Sequence, residues 1–170
     1  MFSITKISSR GRHRLLIFSF ALISVLVSLQ TGMLSAFESF PAPEGERLSP
    51  EIQKKLNLAS VQHELILLLI ERQNFDKVEL EWRKVLDLRL GAAYEGLIAD
   101  SLLQVGYKLS EAKKLLLAQK LLDESLAIVP FSNGSKVDIF RFKAYLYKEA
   151  GDLDSAIKAF QQARDLAEKP

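Results

Sequence analysis

Between residues 137 and 170 the chain reads VDIFRFKAYLYKEAGDLDSAIKAFQQARDLAEKP. Apolar positions recur there with the period of an α-helix on both sides of Gly151-Asp152, which predicts two amphipathic helices joined by a turn. Small and large residues come in a fixed order. Ala144 and Tyr147 precede the turn, and Ala156, Phe160 and Ala163 follow it.

The same order recurs twice upstream. In a middle unit, Leu102, Val105, Gly106 and Leu109 form a first helix face, and Ala118, Leu122, Ser125 and Pro130 form a second. Gly106 and Ala118 are small where two helices approach closely, and Pro130 acts as a helix stop. Its turn, Lys113-Lys114, holds no glycine, so a helix running through residues 107–117 is the alternative. In a first unit, Leu65, Ile66 and Leu69 precede Gln73-Asn74, and Val78, Trp82 and Val85 follow it. Valines replace both small residues of the second helix there, and Ile66 replaces the small residue of the first. With Val78, Ala118 and Ala156 as equivalents, the intervals are 40 and 38 residues. The extra residues are assigned to 91–97 and 131–136, between hairpins. A helix start is predicted at Ser49-Pro50, with Ser as N-cap and Pro at the first helical position.

The last unit resembles a tetratricopeptide repeat, whose helix-turn-helix unit has a 34-residue period and a small-aromatic-small signature. The resemblance covers roughly residues 52–170; it is specific in the last unit, weaker in the middle one and faintest in the first. It implies an all-α fold, an α-solenoid of about three helix-turn-helix hairpins over residues 51–170. Such hairpins bury their apolar faces by stacking. It also implies a binding scaffold whose concave face, lined by first helices, holds an extended protein or peptide segment. Carried over by repeat position, that face comprises His63, Leu67, Glu71, Asp100, Leu103, Tyr107, Asp138, Arg141, Tyr145 and Lys148. Tyr107 and Tyr145 are equivalent positions, and an amphipathic aromatic suits an interface. Arg141 and Lys148 lie seven apart on one helix face and can receive an acidic segment. Lys169-Pro170 follow the last hairpin with no polar capping helix. Ile157 and Ala163 are therefore expected on an apolar edge that docks a second copy or another partner, the route to a homo-oligomer.

The N-terminus carries a different pattern. Arg10, Arg12 and Arg14 precede residues 15–29, which hold no charge, and Leu34-Ser35-Ala36 come ahead of Phe37-Glu38. A basic region, a short apolar run and a terminal small residue describe a secretory signal over residues 1–36, cleaved after Ala36. The charge-free stretch 15–37 is also long enough for an uncleaved transmembrane anchor. Both readings export the remainder, to the periplasm, the exterior or the non-cytoplasmic membrane face. Residues 37–50, with Pro41, Pro43 and Pro50, read as an extended linker.

Charge changes this picture little. The formal net charge is +2, but Lys6, Arg10, Arg12 and Arg14 lie in the first 36 residues with no acid among them; the rest holds 19 basic and 21 acidic residues. The folded part shows no basic stripe, so nucleic acid is not an expected partner. The absence of cysteine excludes disulfides, thiolate metal sites and a thiol nucleophile. His13 and His63 are the two histidines, and His63-Glu64 has no second histidine four residues on. No Gly-rich phosphate loop or nucleophile elbow occurs. No cofactor, metal or enzymatic activity is expected. Asn133-Gly134-Ser135 matches a glycosylation sequon but reads more simply as a turn, with Ser135 capping the next helix and Asp138 completing a capping box. Trp82 and Phe160 share a repeat position and are expected in the core. The run Leu65 to Ile70 is apolar all round and is expected to be buried on both sides.

Overall fold

The structure, a computed structural model, describes residues 48–169. The signal or anchor expected at 1–36, the linker up to residue 47 and Pro170 lie outside the described residues. Six α-helices and no strand occur among those described: α1 (Pro50–Glu71), α2 (Phe75–Asp87), α3 (Glu95–Glu111), α4 (Leu115–Ile128), α5 (Asn133–Glu149) and α6 (Leu153–Ala167), with a 3-10 turn at Ala92–Tyr94. They pair as three hairpins, α1/α2, α3/α4 and α5/α6. The first helices lie side by side in the order α1, α3, α5, while α2 packs on α4 and α4 on α5. The fold is all-α and solenoid-like, as the repeat resemblance implies.

One turn geometry makes all three hairpins. The second residue after each first helix takes a left-handed conformation: Gln73 (φ 57°), Lys113 (φ 60°) and Gly151 (φ 83°). The following amide then reaches back five residues, from Asn74 to Leu69 O, Lys114 to Leu109 O and Asp152 to Tyr147 O, at 2.8–2.9 Å. This is a Schellman-type C-cap that satisfies carbonyls left free at the helix end. The alternative of a helix running through 107–117 fails for this reason: Lys113 breaks it without a glycine. Glycine fits this conformation without strain, whereas Gln73 and Lys113 each bear a cost of about 1–2 kcal/mol.

The N-terminal ends of the helices differ. Ser49 caps α1 by accepting from the Ile52 amide at 3.3 Å, with Pro50 opening the helix. The expected cap of α5 is corrected by one turn. Ser132, not Ser135, is the N-cap and accepts from the Ser135 amide at 3.2 Å, so Asn133-Gly134 form the first helical residues rather than a turn. Asp152 caps α6 through the Ser155 amide at 3.0 Å. Hydrogen bonding from Ser155, from its side chain first and its amide second, holds the Asp152 carboxyl below its usual range.

Two sets of equivalent positions are buried in all three hairpins. Ile66, Gly106 and Ala144 lie in the first helices, and Val78, Ala118 and Ala156 face them from the second helices. The core is continuous from Ile66 and Trp82 through Leu102, Leu121 and Leu122 to Ile139 and Phe142. At Gly106 close approach is obligatory: a Cβ there would stand 2.5 Å from Phe142 Cε1. Of the extra residues assigned to 91–97, 91–94 lie in the connection and 95–97 open α3; the connection has Arg89 and Gly91 at positive φ and Leu90 tucked inside. The second connection is short, and its Val129 and Phe131 are buried as plugs.

Candidate functional site

The residues expected on the concave face belong to α1, α3 and α5, the three helices that lie side by side. Their accessibility is uneven. Glu71, Asp100, Tyr107, Asp138, Arg141, Tyr145 and Lys148 are exposed, whereas Leu67 and Leu103 are half-buried. His63 does not belong to an open face. It is 2% exposed and wedged between α1 and α3, where its Nδ1 lies 2.6 Å from Ser101 Oγ and its Nε2 3.2 Å from Gln104 Oε1. These partners fit the neutral ring protonated on Nε2: Nε2–H donates to the amide oxygen and the serine hydroxyl donates to Nδ1. Burial pulls the His63 pKa below the usual 6.5, against the opposing pull of Glu64 and Gln104. His63 is thus a buried polar tie between two hairpins rather than part of the exposed face.

The two tyrosines are the prominent apolar features of this face. Tyr107 is 53% exposed, and its ring sits 4.2 Å from that of Phe142. Tyr145 is 49% exposed and meets Phe160 edge-on at 5.5 Å. Each ring is backed by a second ring from a neighbouring helix, which restricts its rotamers and leaves one surface and the hydroxyl in solvent. Asp138 and Arg141 form an i,i+3 pair at 3.4 Å, both more than half exposed. Such a pair is worth little by itself, and neither side chain is committed to the fold. Asp100 lies near Asp138 and Glu95. Desolvation and these like charges raise its carboxyl pKa.

Other charged groups hold hairpins together. Arg83 of α2 bridges to Glu124 of α4 at 2.5 Å, and Lys120 of α4 returns to Glu79 at 2.6 Å. Lys113 and Ser110 both bond Glu149, at 2.5 and 2.7 Å. These carboxylates are structural partners.

Sequence patterning did not indicate a shallow depression of about 660 Å³ on the turn side. Phe75, Lys113, Lys114, Leu116 and Ala150 help line it, with Lys114 Nζ over the Phe75 ring at 4.6 Å. Its lysines are engaged by that ring and by Glu149, and none of the residues expected to bind a partner lines it. Among the described residues no group of three or more His, Cys, Asp or Glu is placed to hold a metal ion. Among them, too, no helix is long and apolar enough to cross a membrane. No protein-family model, curated protein or solved structure matches the chain.

Proposed function

We propose that the described residues form a tetratricopeptide-like, non-catalytic scaffold that holds an extended segment of another protein along α1, α3 and α5. The observation that supports this most directly is the pair Tyr107 and Tyr145. They occupy equivalent places on successive first helices, half-exposed and braced from behind by Phe142 and Phe160. Braced aromatics lose little conformational freedom on binding and offer both apolar area and a hydroxyl. Arg141 and Lys148, exposed beside Tyr145, supply positive charge for an acidic stretch of the same segment. With three hairpins the face is short, so affinity for one peptide is modest. The compartment proposed for this scaffold is the cell envelope or secretory route, on the basis of the N-terminal pattern alone.

The test is photo-crosslinking in the native host, with a photoreactive residue replacing Tyr145 and a second at Tyr107, read by mass spectrometry. One recurrent foreign protein at both positions supports the scaffold. No adduct at either, with the protein folded and exported, sinks it.

A second reading, a structural subunit that self-assembles through the last hairpin, has one specific observation behind it. Leu153, Ile157 and Phe160 of α6 are exposed at 60%, 55% and 38%. Ala163, expected on the same edge, instead packs inside the hairpin and is 4% exposed.

A further inference from the structure

The first helix carries two apolar stripes on opposite sides, and the fold uses one. Leu56, Ala59, His63, Ile66 and Ile70, spaced three and four apart, face α2 and α3. Leu58, Val61, Leu65 and Leu68 repeat the same three-four spacing two residues out of step, and they are 48%, 68%, 40% and 54% exposed. The run from Leu65 to Ile70 is therefore apolar all round because it serves two faces. It is not buried on both, as the sequence alone suggests. A face made only to meet water has no need of a heptad-spaced apolar seam, and such a seam is the pattern along which one helix packs on another.

The charges at the ends of the seam suit a second copy of the same helix, although Glu51 also pairs with Lys55 one turn on, at 3.1 Å. Continued by the same spacing, the stripe runs through Glu51 and Lys54 at one end and Arg72 at the other, all exposed. A second α1 laid antiparallel, with the two-fold axis at Val61-Gln62, sets Leu58 against Leu65 of the second copy and Val61 against Val61. It also brings Glu51 opposite Arg72 at both ends and lays the stem of Lys54 over Leu68. A parallel pairing would oppose Glu51 to Glu51, Lys54 to Lys54 and Arg72 to Arg72. We propose that this protein forms a symmetric homodimer through the outer face of α1, antiparallel, with Val61 at the two-fold axis. A closed two-fold contact uses the same patch on both copies and stops at two. It leaves Tyr107 and Tyr145, on α3 and α5, free in each protomer.

The chain holds no native cysteine, so single substitutions in the full-length protein report this contact directly. Val61→Cys is expected to give a disulfide-linked homodimer under mild oxidation, since residues at the axis lie within disulfide reach. Leu58→Cys and Leu65→Cys chains are expected to cross-link when mixed but not separately. Like residues there lie about 10 Å apart along the axis. Val61→Glu, at an exposed position, is expected to halve the mass seen by light scattering and leave the helical circular dichroism unchanged. The proposal is overturned if Val61→Cys stays monomeric or links to a different protein. Self-linking of Leu58→Cys as efficient as the mixed pair, or equal dimer yield from Ile157→Cys on α6, overturns it as well.

Discussion

The first and last hairpins share one turn geometry and one order of positions, yet they are held together differently. In α1/α2 the facing residues are Ile66, Val78, Trp82 and Val85, all large and at most 2% exposed. In α5/α6 the equivalent places hold Ala144, Ala156, Phe160 and Ala163. The last two helices, with alanine at three of these places, contact each other more extensively than any other pair. However, α6 packs on α5 alone, whereas α2 also reaches α4. Trp82 is accordingly 0% exposed and donates from Nε1 to Ser125 Oγ at 2.9 Å, and that hydroxyl in turn donates to Leu121 O at 2.7 Å. Phe160, at the same repeat position, is 38% exposed and leans on Tyr145. A repeat position thus has no fixed burial: the next hairpin supplies it. Among the described residues nothing covers α6, and the expectation that Phe160 lies in the core is corrected on that ground.

The sharpest way to break this comparison is to truncate both aromatics. Trp82→Ala is expected to cost about 3–5 kcal/mol, because it leaves a cavity and takes away the donor that Ser125 Oγ accepts from, leaving that hydroxyl only its bond to Leu121 O. Phe160→Ala should cost less, about 1–2 kcal/mol, because over a third of its surface is already in solvent and the neighbours can close over the gap. Urea denaturation of both variants measures the gap, and equal losses would refute the account of α6. The next effect lies between the hairpins. Gly106→Ala forces the Phe142 ring aside and is expected to cost about 1–3 kcal/mol by overpacking. Because Phe142 backs Tyr107, the same substitution should also weaken cross-linking from Tyr107 while sparing Tyr145.

A pH effect comes third, confined to the α1–α3 contact. His63 has a folded pKa below its unfolded value of 6.5, so the unfolded chain takes up the proton first. The stability of the neutral pair is therefore present above pH 6.5. It is lost as pH falls from 6.5 towards the lower folded value. The urea midpoint is expected to drop between pH 7.5 and 5.5, and His63→Gln should remove much of that difference; an unchanged slope would refute the assignment. The smallest effect concerns the turns. Gln73→Gly relieves a left-handed side-chain residue and should gain about 0.5 kcal/mol net of backbone entropy. Gly151→Ala should lose about 1 kcal/mol at the matching place. Thermal melts of the two variants moving in opposite directions would confirm that one turn is used three times.

Much of the fold was legible before any coordinates. The intervals of 40 and 38 residues between hairpins recur in the left-handed positions Gln73, Lys113 and Gly151, because turn and apolar pattern are locked together by the helix period. Ser49-Pro50 starts the first helix as read, since capping chemistry is local. The cap of α5 was misplaced by three residues because Ser132 and Ser135 are chemically equal candidates, and only the chain direction entering from Phe131 chooses between them. The candidate face was less legible. Tyr107, Tyr145 and their charged neighbours fall on exposed helix surface, as the spacing implies, but His63 was misjudged. A histidine at a face position reads the same in sequence whether water or a neighbouring helix stands in front of it. Ser101 and Gln104, its partners on α3, lie 38 and 41 residues away.

The sequence by itself determined what is local: helix period, turn positions, the small-residue pairs and the equivalence of three units. These follow from interactions within a few residues along the chain. Tertiary structure alone decided which equivalent positions are covered. It buried Trp82 and exposed Phe160, and it withdrew His63 from the surface. It also split the all-round apolar run of α1 into a packed stripe and a free one. Burial depends on what stands opposite, and an apolar residue pays the same tribute to the helix period whichever side its neighbour takes.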